Sequence, residues 1–189
     1  MLFVVPVYKE PHHIVQYRVD QIKYFHPRCS IITITDGAPK RSFIGTFNYC
    51  LETRLKTRET SHFWLKAFYE LVLSNNDDLF IKIDPDCDVV KTFDETTAFG
   101  DFFSQGSYFP TKRISLFIAL GAYGFTRKGA QRVLDSKLLE DPVYAEPLYA
   151  GWEQKILASV LTRLDIPFVN NDAFSFVKQT SDKTCFWHK

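Results

Sequence analysis

The chain has 189 residues and a formal net charge of +1, with 46% hydrophobic and 24% charged residues. These values fit one ordinary globular domain that needs no disulfide to fold. The nearly balanced charge gives no sign of a nucleic-acid-binding protein, and no run of like charge is long enough to form an interaction tail.

The first 37 residues read as a strand, a helix and a second strand. Residues 2–7 form a short apolar run, typical of a strand buried on both faces. A helix is expected after Pro11, where apolar residues recur at helical spacing: Val15, Val19 and Ile22. Residues 30–35 are rich in β-branched side chains and stop at a turn signal, Asp36-Gly37. This order predicts the start of a parallel α/β sheet.

The middle of the chain continues this alternation. Residues 38–60 are polar and mixed, and their elements cannot be placed from the sequence. Residues 62–73 predict an amphipathic helix, and residues 79–83 predict the next strand. Lys82, within that strand, is expected at an edge or facing solvent.

The second half has weaker patterns. A Phe-rich segment at 99–109 predicts a strand with loops, and 114–125 is an apolar run with small residues. Thr126 is a plausible N-cap for a helix over 127–135. A further amphipathic helix is predicted over 152–164, followed by a short strand at 166–169. The whole pattern predicts a single α/β domain with a mostly parallel central sheet flanked by helices.

Three aspartates at alternate positions follow the strand at 79–83: Asp84, Asp86 and Asp88. In an open α/β sheet, ligands bind at the carboxyl ends of the strands, where these side chains would emerge. Mutual repulsion among the carboxylates favours a bound cation, and Mg²⁺ or Mn²⁺ would complete its coordination with substrate phosphates. The alternative is a surface turn in which Asp and Pro serve only the backbone geometry.

Three segments, in this order and spacing, resemble the nucleotide-sugar-binding half of GT-A-fold glycosyltransferases: VVPVYKEP, ITDGAP and KIDPDCDVV. The resemblance implies that Asp84 and Asp86 form a DxD motif that holds a metal ion and the donor diphosphate. It implies that Asp36 contacts the donor base and that Val7 and Tyr8 line the base pocket. Residues 1–90 would form this half, and residues 91–189 the acceptor-side half.

Residues 120–134 resemble a strand and helix of fringe-like and related galactosyltransferases that line the donor sugar site. The resemblance places Gly121 and Tyr123 at the sugar, because small residues let the backbone approach a ligand closely. The alternative is a tight packing junction between a strand and a helix.

Residues 151–169 resemble the segment of these families that carries the catalytic carboxylate. Glu153 matches the residue that takes the proton from the acceptor hydroxyl in inverting enzymes, and Trp152 is placed to stack on the acceptor sugar. Many relatives have a second acid where this chain has Gln154, which leaves the base and the inverting outcome open. Alternatively, Glu153 only complements the helix dipole and Trp152 belongs to the core.

His188 matches the late histidine that often supplies a third metal ligand in GT-A enzymes, if the last residues return to the site as a strand. An imidazole ligand would favour Mn²⁺ over Mg²⁺. The alternative is a frayed terminus.

These features together predict a metal-dependent glycosyltransferase that uses a nucleoside diphosphate sugar, with UDP-sugar as the first expectation, and a glycan acceptor. Two alternatives are a non-catalytic nucleotide-sugar-binding module and a phosphatase of the haloacid dehalogenase type. The segment Asp86-Cys87-Asp88 resembles the nucleophile motif of those phosphatases. Four separated cysteines suggest reduced thiols, and the apolar run before Pro6 is too short for a signal or membrane segment. We therefore expect a cytoplasmic protein with no integral membrane segment.

Overall fold

The structure is a computed structural model that describes residues 1–37, 39–57, 59–104, 106–107, 117–118, 121–149, 153–175 and 182–188. The described part of the first half contains five strands and two α-helices: β1 (Leu2–Val7), α1 (His12–Phe25), β2 (Ser30–Asp36), β3 (Phe47–Leu51), α2 (Ser61–Leu73), β4 (Leu79–Ile83) and β5 (Cys87–Val89). The described part of the second half adds seven strands and two α-helices: β6 (Phe102–Ser104), β7 (Gly106–Ser107), β8 (Phe117–Ile118), β9 (Ala122–Thr126), α3 (Arg127–Asp135), α4 (Glu153–Arg163), β10 (Phe168–Asn170), β11 (Phe174–Ser175) and β12 (Phe186–His188).

Seven of the strands form the central sheet, in the order β10-β6-β9-β4-β1-β2-β3. The strands β4, β1, β2 and β3 are parallel neighbours, and α1 and α2 supply crossovers between them. The strand β9 runs antiparallel to both of its neighbours, β4 and β6. The prediction of a mostly parallel sheet is confirmed in part, because four of the six neighbouring strand pairs are parallel and the two pairs that involve β9 are antiparallel. A parallel neighbour needs a long crossover, usually a helix, and the described residues between β4 and β9 form no α-helix.

Side chains that alternate along β1 feed two hydrophobic clusters, one on each face of the sheet. Val4 packs in a cluster with residues of α2, α3 and α4, whereas Val5 packs in a cluster with residues of α1. The apolar run at 2–7 is thus explained, since β1 is buried on both faces as the sequence predicts. The described residues form an α/β domain with helices on both sides of its sheet.

Several element boundaries match the sequence predictions closely. The helix α2 and the strand β4 lie where the periodicity predicts them. The Thr126 hydroxyl accepts a hydrogen bond from the Gly129 backbone N–H at 3.1 Å, which confirms the predicted N-cap of α3. The edge strand β3 lies in the segment that the sequence left unplaced.

A small second sheet joins the last described residues to the segment 84–88, which holds Asp84, Asp86 and Asp88 and is called the aspartate-rich turn below. It has the order β11-β12-β5, with β12 antiparallel to β5. Within the described residues, none of the helices combines the length and apolarity that crossing a bilayer requires.

Candidate functional site

A cavity of about 180 Å³ opens at the carboxyl ends of β1, β2 and β4. Ligands of open α/β sheets bind at this edge. All five residues that the resemblance assigns to the nucleotide and diphosphate of the donor line this cavity: Val7, Tyr8, Asp36, Asp84 and Asp86. They share its wall with Pro6, Glu10, Lys56 and Trp64. The structure therefore brings together residues that are up to 79 positions apart in the chain, from Val7 to Asp86.

The first two aspartates of the turn occupy different environments. Asp84 is half-buried, and its Oδ1 lies 2.6 Å from Nζ of Lys82. Its backbone N–H donates to the Gly121 carbonyl at 2.6 Å, which fixes the start of the turn. Asp86 is exposed on the cavity wall. Asp86 is therefore the more accessible carboxylate for a ligand.

The third aspartate is committed to the fold. Asp88 is buried, and its Oδ1 accepts a hydrogen bond from the Arg18 guanidinium at 2.9 Å. The same guanidinium donates through Nε to the Pro85 carbonyl at 3.2 Å. Arg18 thus ties α1 to both sides of Asp86, a role that its position among apolar helix residues gave no reason to predict.

Lys82 is not at an edge and does not face solvent, so that prediction is wrong. It lies in β4, which has neighbours on both sides, and the residue is 2% exposed. Its Nζ contacts the carboxylates of Asp84, at 2.6 Å, and of Glu153, at 3.2 Å. Burial would lower the pKa of Lys82, but these two carboxylates outweigh it and raise the pKa above its ordinary value.

Glu153 begins α4 and is 5% exposed. Its two oxygens face two cations: Oε1 lies 3.2 Å from Lys82 Nζ, and Oε2 lies 3.2 Å from Lys56 Nζ. Burial would raise the pKa of Glu153, but the two lysines outweigh it and lower the pKa to about 2. In this arrangement the carboxylate is a weak base, and its role as the proton acceptor stays a prediction.

Asp36 and Tyr8 line the cavity, but each already has protein partners. The Asp36 carboxylate accepts backbone N–H groups from Leu55 and Lys56, both at 2.8 Å. The Arg54 guanidinium lies over the Tyr8 ring, 4.1 Å from its centroid. Asp36 therefore fixes the segment between β3 and α2 against the cavity. Its contact with a donor base stays a prediction.

Of the residues assigned to the sugar site, neither Gly121 nor Tyr123 lines the cavity. Gly121 precedes β9 with φ of 95°, and its carbonyl meets the Asp84 N–H. Tyr123 is buried behind Lys82, with its hydroxyl 3.3 Å from that of Tyr69, so its contact with a sugar stays a prediction. Trp152 lies outside the described residues.

The backbone of His188 belongs to β12, which pairs with β5 in the aspartate-rich turn, so the last described residues are not frayed. In the pairing of β12 with β5, His188 lies opposite Cys87, one residue after Asp86. The side chain of His188 is outside the described part of the structure, so its role as a metal ligand stays a prediction.

The carboxylates fit a divalent ion that arrives with a phosphate ligand. Among the described side chains, no group of three or more His, Cys, Asp or Glu is arranged to hold a metal by itself. Mg²⁺ is commonly held by one or two carboxylates together with waters and substrate phosphates, and Asp84 and Asp86 on one cavity wall meet that need.

Two comparisons with known proteins bear on the sequence. No protein-family model matches the chain, and no curated protein matches it.

Proposed function

We propose that this protein is a metal-dependent glycosyltransferase that takes its sugar from a nucleoside diphosphate sugar, with UDP-sugar as the first choice. The observation that carries the proposal is the convergence of Val7, Tyr8, Asp36, Asp84 and Asp86 on one cavity. The resemblance draws these residues from three separate segments of the sequence. They lie at or just after the carboxyl ends of the parallel strands β1, β2 and β4, the edge where ligands of such sheets bind.

The charges at the cavity suit a diphosphate that carries its own cation. Asp84 and Asp86 would hold the ion, which would neutralise charge on the departing diphosphate. Asp86 is exposed on the cavity wall and therefore accessible to the ion. One oxygen of Asp84, Oδ1, is already paired with the Lys82 ammonium. Arg18 fixes the backbone on either side of Asp86 by binding Pro85 and Asp88. The turn is thereby preorganised for the ion.

Asp86→Asn tests the proposal, with Asp78→Asn as its matched control. Asp78 directly precedes β4, at the opposite end from the cavity, and its side chain is 95% exposed. A nucleotide-sugar at a hundred times its dissociation constant stabilises the folded protein by about 2.7 kcal/mol. We expect UDP-sugar with Mn²⁺ to raise the melting temperature of the parent protein and of Asp78→Asn, but not that of Asp86→Asn. An equal rise in all three would contradict the assignment of Asp86.

The ion pairing of Glu153 favours one alternative, a module that binds a nucleotide-sugar without transferring it. A carboxylate whose pKa is lowered to about 2 by Lys82 and Lys56 is a poor proton acceptor. Incubation with UDP-sugars and a panel of glycan acceptors separates the two functions. Release of UDP that depends on the acceptor supports the transferase, whereas tight binding without release supports the module.

The phosphatase alternative receives no such support. Its motif would use Asp86 and Asp88 as partners at one site. Asp88 is instead buried against Arg18, whereas Asp86 is exposed. Hydrolysis of an aryl phosphate by the purified protein would revive this alternative.

A further inference from the structure

Lys56 connects the cavity to the buried charges beneath it. Its backbone N–H is held by Asp36 at 2.8 Å, and its side chain, 34% exposed, lines the cavity. The ammonium lies 3.2 Å from Glu153 Oε2. Lys56 is therefore fixed at both ends while part of its side chain remains accessible.

The ion pair with Glu153 occupies only part of the Lys56 ammonium. Its Nζ lies 3.2 Å from Glu153 Oε2, which is within salt-bridge distance. An ammonium has three donors, and Glu153 is the one described carboxylate at salt-bridge distance from this one. The Lys56 ammonium thus retains donors for a ligand.

Four carboxyl side chains share the cavity wall with Lys56: Glu10, Asp36, Asp84 and Asp86. Among the described lining residues, Lys56 is the one basic side chain. Lys82, although close, is 2% exposed and already contacts two carboxylates. An anionic ligand entering this cavity would therefore meet Lys56 as the cation on the wall; the Arg54 guanidinium, over the Tyr8 ring, does not line the cavity.

We propose that Lys56 binds phosphate oxygens of the ligand. This inference rests on the proposed function, since it assigns a contact for the diphosphate of the nucleotide-sugar. A flexible, point-like ammonium suits that contact, because lysine binds phosphate without needing a fixed bidentate geometry.

Lys56→Met tests this contact, with Lys66→Met as the matched control and Lys56→Arg as the charge-preserving variant. Lys66 has the same side-chain exposure, 34%, and pairs with Glu140 on the surface at 2.7 Å, but it does not line the cavity. Titration calorimetry would measure the binding of UDP, uridine and inorganic pyrophosphate, each in the presence of Mn²⁺. Melting temperatures of the free variants would show whether each remains folded.

Removing a hydrogen bond to a charged group is expected to weaken UDP binding about tenfold to a hundredfold in Lys56→Met. Uridine, which lacks phosphate, should bind Lys56→Met and the parent protein alike, whereas pyrophosphate should lose affinity as UDP does. Lys66→Met should match the parent protein, and Lys56→Arg should recover most of the loss. A merely structural role would weaken UDP and uridine together.

The outcomes separate this inference from the proposed function. If Lys56→Met binds UDP as tightly as the parent protein, the Lys56 contact is wrong and the proposed function stands. If the parent protein binds pyrophosphate but not UDP, and Lys56→Met loses pyrophosphate, the contact is right and the nucleotide-sugar assignment is wrong. Equal loss of UDP and uridine in Lys56→Met, or binding of neither UDP nor pyrophosphate by the parent protein, overturns the contact.

Discussion

The buried pair of Arg18 and Asp88 should be a main support of the aspartate-rich turn. Asp88→Ala would leave the guanidinium of Arg18 in the interior without its carboxylate. Breaking a buried ion pair from one side typically costs about 3–5 kcal/mol. Because Arg18 keeps its hydrogen bond to the Pro85 carbonyl, we expect a loss near the lower end, about 3 kcal/mol. Domains of this kind are stable by only about 5–15 kcal/mol, so the loss would be large.

Urea unfolding followed by tryptophan fluorescence, to which the buried Trp64 contributes, would measure this loss. Asp78→Ala is the control, because its exposed pair with Arg127 at 3.6 Å should contribute at most about 1 kcal/mol. The double variant Arg18→Met/Asp88→Leu should be more stable than Asp88→Ala, since it leaves no unpaired charge. A change below about 1 kcal/mol in Asp88→Ala would refute the reasoning and return Asp88 to the candidate metal ligands.

Two further predictions concern stability away from the cavity. Burial lowers the pKa of His26 to about 4, so the unfolded chain, with an ordinary value near 6.5, binds a proton that the folded protein excludes. The free energy of unfolding should therefore fall by up to about 3 kcal/mol as the pH drops from 6.5 to 4. Urea unfolding at several pH values should show a shallower fall for His26→Leu than for the parent protein. An identical pH dependence of the two proteins would contradict this. In Gly124→Ala, the added methyl group would overlap the Phe103 ring within the sheet. The same assay should show a loss of about 1–3 kcal/mol in the free energy of unfolding. An unchanged unfolding midpoint would show that the ring moves freely.

Elements with a clear hydrophobic period could be predicted from the sequence, and β3 could not. The run at 2–7 and the helix α2 bury well-defined sets of apolar side chains, so their patterns are strong. The edge strand β3 is only partly buried along most of its length, so no alternation distinguishes it from a loop. The reversal of β9 depends on the connection that precedes it, which carries no local signal of direction.

The aspartates of the site could be predicted from the sequence, and the buried position of Lys82 could not. Asp84 and Asp86 directly follow a recognisable strand, so their place at the carboxyl edge follows from the sheet alone. Lys82 faces Glu153, a residue 71 positions later, and no pattern near Lys82 reveals that partner. A lysine between apolar residues normally indicates solvent exposure, and here a distant carboxylate reverses that expectation.

The antiparallel course of β9 has a consequence for the shape of the cleft. Because β9 runs antiparallel to β4, the carboxyl end of β4 and the amino end of β9 lie at the same rim of the sheet. Beyond the paired residues, the Asp84 N–H donates to the Gly121 carbonyl and continues the link between the two strands at that rim. This anchor of the turn that carries the aspartates uses a backbone carbonyl, so it depends on the conformation of Gly121, with φ of 95°, and not on any side chain.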